Sequence, residues 1–236
     1  MPILKKRIGT FLFNMLKKYK IPLIAILSVL FIDQFIKIYI KLNYPLGEVT
    51  RVSGEWFILH FTENPGMAFG LEFGGDYGKL ILSSFRILAS LAGIWYVIHI
   101  VKKGEHPGFI LSVSLILAGA IGNILDSAFY GMIFSESDEF NVSKFMPAEG
   151  GYSGFLHGRV VDMFYFPIWN GTFPSWLPIW GGEDFQFFRP IFNFADFSIS
   201  CGVGIILAFQ KRFIQEKTPP ATDPSSGNVT NDTTQP

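Results

Sequence analysis

Three pairs of polar residues stand in stretches that are otherwise apolar. Asp33 and Lys37 are four residues apart, hence on one face of a helix, with the acid N-terminal to the base as a favourable pair requires. Asn123 and Asp126 are three apart, and Asn193 and Asp196 repeat that N-x-x-D spacing. Asp162 follows Val160 and Val161 and precedes Met163, Phe164, Tyr165 and Phe166, an apolar setting that would desolvate its carboxylate and raise its pKa. If a second carboxylate faced it, repulsion would leave one proton shared by the pair. One oxygen could then take a proton from water while the other carboxyl donates one to a substrate carbonyl, the division of labour of an aspartic protease. The apparent pKa values would belong to the pair rather than to either residue.

Each piece has a plainer explanation. Asp33 and Lys37 alone read as an ion pair bracing a helix bundle, since intramembrane charges usually pair. Each asparagine could simply hydrogen-bond between helices, a contact averaging ~0.6 kcal/mol in membranes. Asn64-Pro65-Gly66 alone is a turn, and a loop carboxylate such as Asp162 is normally solvated. Gly151-Tyr152-Ser153-Gly154 with nearby His157 imitates a serine nucleophile motif but lies in a polar, glycine-rich loop. His60, His99 and His106 have no metal-ligand spacing and no H-E-x-x-H occurs, which argues against a zinc protease.

The elements that must position these groups follow from composition. The chain has 236 residues, 49% of them hydrophobic and 17% aromatic, but only 16% charged, against roughly 25% in soluble domains. Its net charge of zero gives no general attraction to nucleic acid. The single cysteine, Cys201, lies in an apolar run and reads as packing. Four segments, about 21–40, 80–101, 109–130 and 192–213, reach the roughly 20 apolar residues that cross a hydrocarbon core. Lysines and arginines gather before the first span, between the second and third, and after the fourth, so both termini are expected in the cytoplasm. The outer segments are then 41–79 and 131–191, both richer in acidic than basic residues. The first span is too long for a signal-peptide core of roughly 7–15 residues and is read as retained.

Residues 1–20 mix apolar and basic side chains as an amphipathic helix on the cytoplasmic leaflet would. Residues 21–213 form one membrane domain. The tail 214–236 has almost nothing apolar to bury and is expected to be disordered, its Asn228 and Asn231 sequons without meaning on that side. Alternation around Trp56 to Glu63, followed by a Gly/Pro turn, predicts a small antiparallel sheet. The aromatic, Gly- and Pro-rich run before the fourth span suits chain resting among lipid headgroups. The fold class is therefore an integral membrane α-helical protein, with four transmembrane helices and a small extracytoplasmic β-sheet between helices 1 and 2. The three polar pairs all fall in its outer half. A transporter would instead place such groups near the midplane of repeated halves, and these unequal spans show none.

Five blocks occur in order along the spans: Asp33-Gln34 with Lys37; Asn64-Pro65-Gly66-Met67-Ala68-Phe69-Gly70; Gly122-Asn123 with Asp126; Val160-Val161-Asp162-Met163-Phe164; and Phe192-Asn193-Phe194-Ala195-Asp196. In this order they resemble the lipoprotein signal peptidases (signal peptidase II), over roughly residues 21–213. The resemblance implies a membrane aspartyl endopeptidase with Asp162 and Asp196 catalytic, and Asp33, Lys37, Asn64, Asn123, Asp126 and Asn193 lining or bracing the site. The implied substrate is a prolipoprotein whose cysteine carries diacylglycerol, cut on the N-terminal side of that cysteine at the outer face of a bacterial inner membrane. The implied enzyme works as a monomer among membrane lipids, with no metal or organic cofactor and no nucleic-acid partner. Both aspartates are present, which disfavours a catalytically dead scaffold. Two departures stand out. Family members commonly have arginine where this chain has Ser127, for which Arg159 or Arg189 are the candidate replacements. The segments 131–156 and 167–189 also exceed the family's compact loops and are expected to serve as a lid, a partner surface or a cover over headgroups.

Overall fold

The computed structural model describes residues 2–65, 75–167, 169–187 and 190–215. Residues 66–70 of the Asn-Pro-Gly block, Arg189 and the chain beyond Gln215 lie outside the described residues. Among the described residues four helices are long and apolar enough to cross a membrane: α1 (Pro2–Asn43), α2 (Gly75–Lys103), α3 (Pro107–Leu125) with its continuation, and α5 (Phe194–Gln215). α1 runs unbroken through Pro22, so the basic N-terminal stretch and the first span form one helix. α3 continues through a π-helical turn (Asp126–Tyr130) into a last helical turn, α4 (Gly131–Ile133). Pro107 opens α3, where its missing N–H costs nothing, and the His106 ring accepts the Gly108 N–H.

The bundle is inside out relative to a soluble one. Leu27, Phe31 and Phe35 on α1 and Ile81, Phe85, Leu88 and Trp95 on α2 point outward, whereas Asp33, Lys37, Asp126 and Asn193 are fully buried. With hydrocarbon as the solvent, apolar faces gain nothing by turning inward and polar groups must find one another. Small residues then set how closely helices approach. A Cβ on Gly119 would overlap the Ala195 carbonyl, and one on Gly202 would come within 2.5 Å of the Ser112 carbonyl oxygen, so α3 and α5 meet backbone to backbone. A Cβ on Gly122 would stand 2.8 Å from Asp33 Oδ2, so this glycine leaves room for a carboxylate.

At one end of the bundle lies a four-stranded sheet of order β1-β2-β3-β6: β1 (Val49–Ser53), β2 (Phe57–Asn64), β3 (Val160–Tyr165) and β6 (Ile191–Phe192). The expected pair between helices 1 and 2 supplies only half of it. β3 and β6 come from the second outer segment and pair antiparallel, with Thr62 opposite Asp162 and Phe164 opposite Phe192. β3 escapes a sequence reading because Val160 to Met163 are all buried, so it shows no alternation. Val161 and Met163 pack with Ile40, Phe61, Tyr130 and Phe134, worth about 1.5–3 kcal/mol for each large apolar side chain buried. Between β3 and β6 a separate hairpin, β4 (Trp169–Thr172) with β5 (Asp184–Phe187), exposes Trp176, Ile179 and Trp180 near its tip.

Gly119→Ala should push α3 from α5 and cost about 1–3 kcal/mol, as overpacking does. A lowered thermal midpoint in detergent checks this, with Gly204→Ala, where a Cβ meets nothing within 4 Å, as the neutral comparison.

Candidate active site

The buried Lys37 ammonium, on α1, organises the sheet end of the bundle. Its Nζ reaches Asp33 Oδ2 at 2.9 Å, Asp126 Oδ2 at 2.8 Å and Asn123 Oδ1 at 2.8 Å, which uses all three of its protons. Asp33 passes the constraint on: its Oδ1 accepts the Ala195 N–H at 2.9 Å, one of the orphan donors at the start of α5. Asp126 accepts the Val161 N–H of β3 at 3.3 Å. Gln34 donates to Asp126 Oδ1 at 2.9 Å and Asp33 Oδ2 at 3.1 Å, and accepts from the Tyr130 hydroxyl at 3.1 Å. Lys37 and its two carboxylates thereby tie together α1, α3, the start of α5 and β3.

The repeated N-x-x-D spacing performs two different tasks. At the start of α5 it is a capping box: Asn193 Oδ1 accepts the Asp196 N–H at 3.0 Å and Asp196 Oδ2 accepts the Asn193 N–H at 3.3 Å. At the end of α3 the Asp126 N–H bonds the Asn123 and Gly122 carbonyls, and the π-helical turn begins there. An inserted π-turn shifts the following side chains around the axis, a feature frequent at functional sites.

Asp162 and Asp196 are joined through the two asparagines. Asn193 Nδ2 donates to Asp162 Oδ1 at 2.7 Å and to Asn123 Oδ1 at 3.0 Å, and Asn123 Nδ2 donates to Asp196 Oδ1 at 2.8 Å. Asp162, only 6% exposed, is pushed up to about 7. Burial is the chief cause and the Asp196 charge the next, opposed by the Asn193 hydrogen bond and the Lys37 charge. Asn64 ends β2 opposite Val160, two positions from the Asp162 pair, so by strand alternation it shares that face of the sheet. Every sequence-predicted site residue thus lies in this assembly or on the strand beside it.

Arg159 lies elsewhere. It pairs with Glu63 at 3.3 Å and Glu136 at 3.0 Å and lies over the Tyr152 ring, whose hydroxyl accepts the Arg159 N–H at 2.7 Å. Glu63 also pairs with the buried Lys41, which donates to Ser137 Oγ at 2.9 Å and faces the Phe134 and Tyr152 rings. This second ionic cluster fastens residues 134–159 to α1 and β2. Arg159 therefore bonds within that cluster rather than standing in for the arginine expected at Ser127. Ser127 itself is enclosed: its hydroxyl donates to the Asn123 carbonyl at 3.1 Å and its carbonyl accepts the Gly158 N–H at 2.8 Å. Ser153 packs against Gly131 through its own backbone, while His157 Nδ1 meets the Phe155 carbonyl. Sequence reasoning quoted Gln34 in a motif but gave it no role in the site, and it gave none to Lys41 or Glu63. Lys41 had a signal, since it follows Lys37 by four residues on the same helical face. Among the described residues no group of three or more histidine, cysteine, aspartate or glutamate side chains could hold a metal ion.

Four apolar helices with a water-shielded cluster of carboxylates, amides and one ammonium at one end define a multi-pass membrane protein with a buried acid–base centre. The chain belongs to the signal peptidase II family, whose pattern, described as signal peptidase (SPase) II, matches residues 25–211. It is thereby a bacterial membrane peptidase. A lipoprotein signal peptidase of Porphyromonas gingivalis is 50% identical over 196 residues, covering 83% of this chain and 84% of that one. One of Amoebophilus asiaticus is 36% identical over 203 residues, covering 85% and 81%. The fold is similar to that of a bacterial membrane enzyme solved at 2.3 Å, with a TM-score of 0.51 at 20% identity over 85% of this chain and 94% of that one.

Lys37→Met should leave Asp33 and Asp126 buried without their cation, a loss of about 3–5 kcal/mol. Denaturant unfolding in mixed micelles should show it as a markedly earlier midpoint.

Proposed function

We propose that this chain is an aspartyl endopeptidase that removes the signal peptide from diacylglyceryl-modified prolipoproteins. It cuts on the N-terminal side of the lipidated cysteine, using water activated between Asp162 and Asp196. The observation that carries this reading is the linkage of two carboxylates from different elements, β3 and the first turn of α5, by Asn193 and Asn123. Such a linkage fixes their relative orientation, and burial beside a like charge lets them share one proton near neutral pH. The ionised carboxylate takes a proton from water as it attacks the scissile carbonyl. The protonated one donates to the carbonyl oxygen, and later a proton passes to the leaving amine. Asp33, Lys37, Asp126 and Asn64 support the pair rather than touch the reacting atoms.

The relatives' name, lipoprotein signal peptidase, supports the substrate class, and the site's location agrees with it. The centre lies at the sheet end of the spans, where a lipid-anchored cysteine arrives from the bilayer and water from outside. We place that end at the outer face of the inner membrane. Both termini are then cytoplasmic, 1–20 is an amphipathic lead-in, 21–213 is the peptidase domain and 214–236 is a tail. The enzyme is read as a monomer among membrane lipids.

Purified protein with a diacylglyceryl prolipoprotein should cleave it, and Asp162→Asn and Asp196→Asn should each lose on the order of 10²–10⁴-fold in kcat. The double variant should be little worse than either single one, since the pair acts as a unit. Cleavage by both single variants at the parent rate would overturn the mechanism. A pH profile gives a second check. The Asp162 carboxyl is held above its ordinary value, so the pair keeps its shared proton below about 7 and loses it above. Cleavage should therefore fall with an alkaline midpoint near pH 7, and a flat profile from pH 6 to 9 would contradict the assignment. Folding stability has the same sign: the contribution from this proton is present at acid pH and lost as pH rises through about 7.

A further inference from the structure

α2 turns one polar stripe into the bundle. Ser83, Ser90, Val97 and Val101 are buried, at spacings of four and seven residues. Arg86 falls on that stripe, three residues after Ser83 and four before Ser90, and its Nη1 is shielded from solvent. It stands six residues beyond Leu80, where the span begins, so about 9 Å into the span at 1.5 Å per residue. Asp196 and Asp162 both act on its charge, so it lies within electrostatic range of the two carboxylates. A guanidinium at such depth costs at least about 2.5 kcal/mol by insertion scales and marks a site by default.

Ser90 is an independent observation. The other buried helical serines spend their hydroxyls on carbonyls: Ser83 on Leu156, Ser112 on Gly108, Ser114 on Ile110, Ser127 on Asn123 and Ser198 on Leu115. Ser90 is 7% exposed, yet among the described residues its Oγ has no hydrogen-bond partner. A buried hydroxyl left so is unfavourable by about 1–3 kcal/mol, unless something that enters the bundle accepts from it. It sits one turn deeper than Arg86 on the same stripe.

Both groups can donate, and at six and ten residues past Leu80 they stand deeper in their span than Asp196, two residues past Phe194, stands in its own. The negative charge of Asp162 and Asp196, both within range of Arg86, disfavours a further anion there, which leaves a neutral acceptor. We propose that Arg86 and Ser90 form a subsite for ester carbonyl oxygens, those of the diacylglyceryl group on the substrate cysteine, and so hold the lipid while Asp162 and Asp196 face the peptide. This inference rests on the proposed substrate class. A thioether held at the carboxylates puts the two glycerol esters a few bonds deeper, where this stripe lies.

The test is binding, on full-length Asp162→Asn protein so that nothing turns over, in an ester-free alkyl glycoside detergent. Fluorescence anisotropy compares two lipopeptides of equal chain length, one with ester-linked and one with ether-linked chains. Arg86→Gln should weaken the ester lipopeptide about tenfold and Ser90→Ala about threefold, the range for charged and neutral hydrogen bonds, and neither should weaken the ether lipopeptide. Equal losses on both ligands, or none on either, would overturn the subsite. So would a loss that appears only after ester phospholipid is added and ignores the lipopeptide's linkage, because the acceptor would then be bulk lipid. If Arg86→Gln does not elute as a folded species, Ser90→Ala, which removes a single oxygen, decides alone. Cleavage by the parent protein is scored separately: its absence would count against the peptidase reading, whereas ester selectivity in binding judges the subsite.

Discussion

One ammonium group holds the architecture of the site. Lys37 Nζ is fully buried and spends its three protons on Asp33, Asp126 and Asn123. Hydrocarbon offers no water or counter-ion in place of the lysine, so separating the ammonium from its carboxylates would strand charge in a medium that cannot solvate it. The two aspartates then use their remaining lone pairs on the backbone, Asp33 on the start of α5 and Asp126 on β3. Those are the elements that carry Asp196 and Asp162. A structural ion cluster thus sets where these two carboxylates stand without needing to touch them.

Close helix packing makes that cluster possible. Backbone contact between α3 and α5 at Gly119 and Gly202 brings Asn123 to Asp196, and the absence of a Cβ on Gly122 admits the Asp33 carboxylate. The π-helical turn after Leu125 starts at Asp126, where an ordinary α-helical continuation would direct the following side chains differently. The sheet supplies the rest. β3 has both faces covered, with Val161 and Met163 toward an apolar cluster and Asp162 toward Asn193. Desolvation raises the affinity of Asp162 for a proton because that strand is covered on both sides.

The enlarged outer segment has a physical role of its own. Residues 134–159 are fastened by Glu63, which pairs with Lys41 from α1 and Arg159 from the insertion, while Tyr152 lies against both cations. The insertion closes over Ser127 through the Gly158 N–H, at a place where a Cβ would overlap the Asp126 carbonyl. An arginine at position 127 would have to displace this covering chain. The second insertion is a separate hairpin whose outermost aromatic side chains are exposed, in keeping with chain among lipid headgroups.

The sequence by itself determined the solvent, the four spans and most members of the cluster, because a charge or an amide in an apolar span is conspicuous and must be paired. Asp33, Lys37, Asn123, Asp126, Asn193 and Asp196 were all legible on that ground. Asp162 was legible chiefly through its resemblance to a family motif, since a carboxylate in a loop announces nothing. Only the tertiary structure decided how they are joined. The two N-x-x-D spacings look alike in one dimension, yet one is a capping box and the other opens a π-turn. β3 was hidden because a strand buried on both faces loses its alternation, the roles of Glu63 and Lys41 were hidden because they pair across 22 residues, and that of Gln34 because the carboxylate it bridges to Asp33, Asp126, lies 92 residues away. Spacing along a chain fixes which side chains share a face. Which faces meet is set by packing, through small residues and buried charge, and that becomes visible only once the helices are brought together.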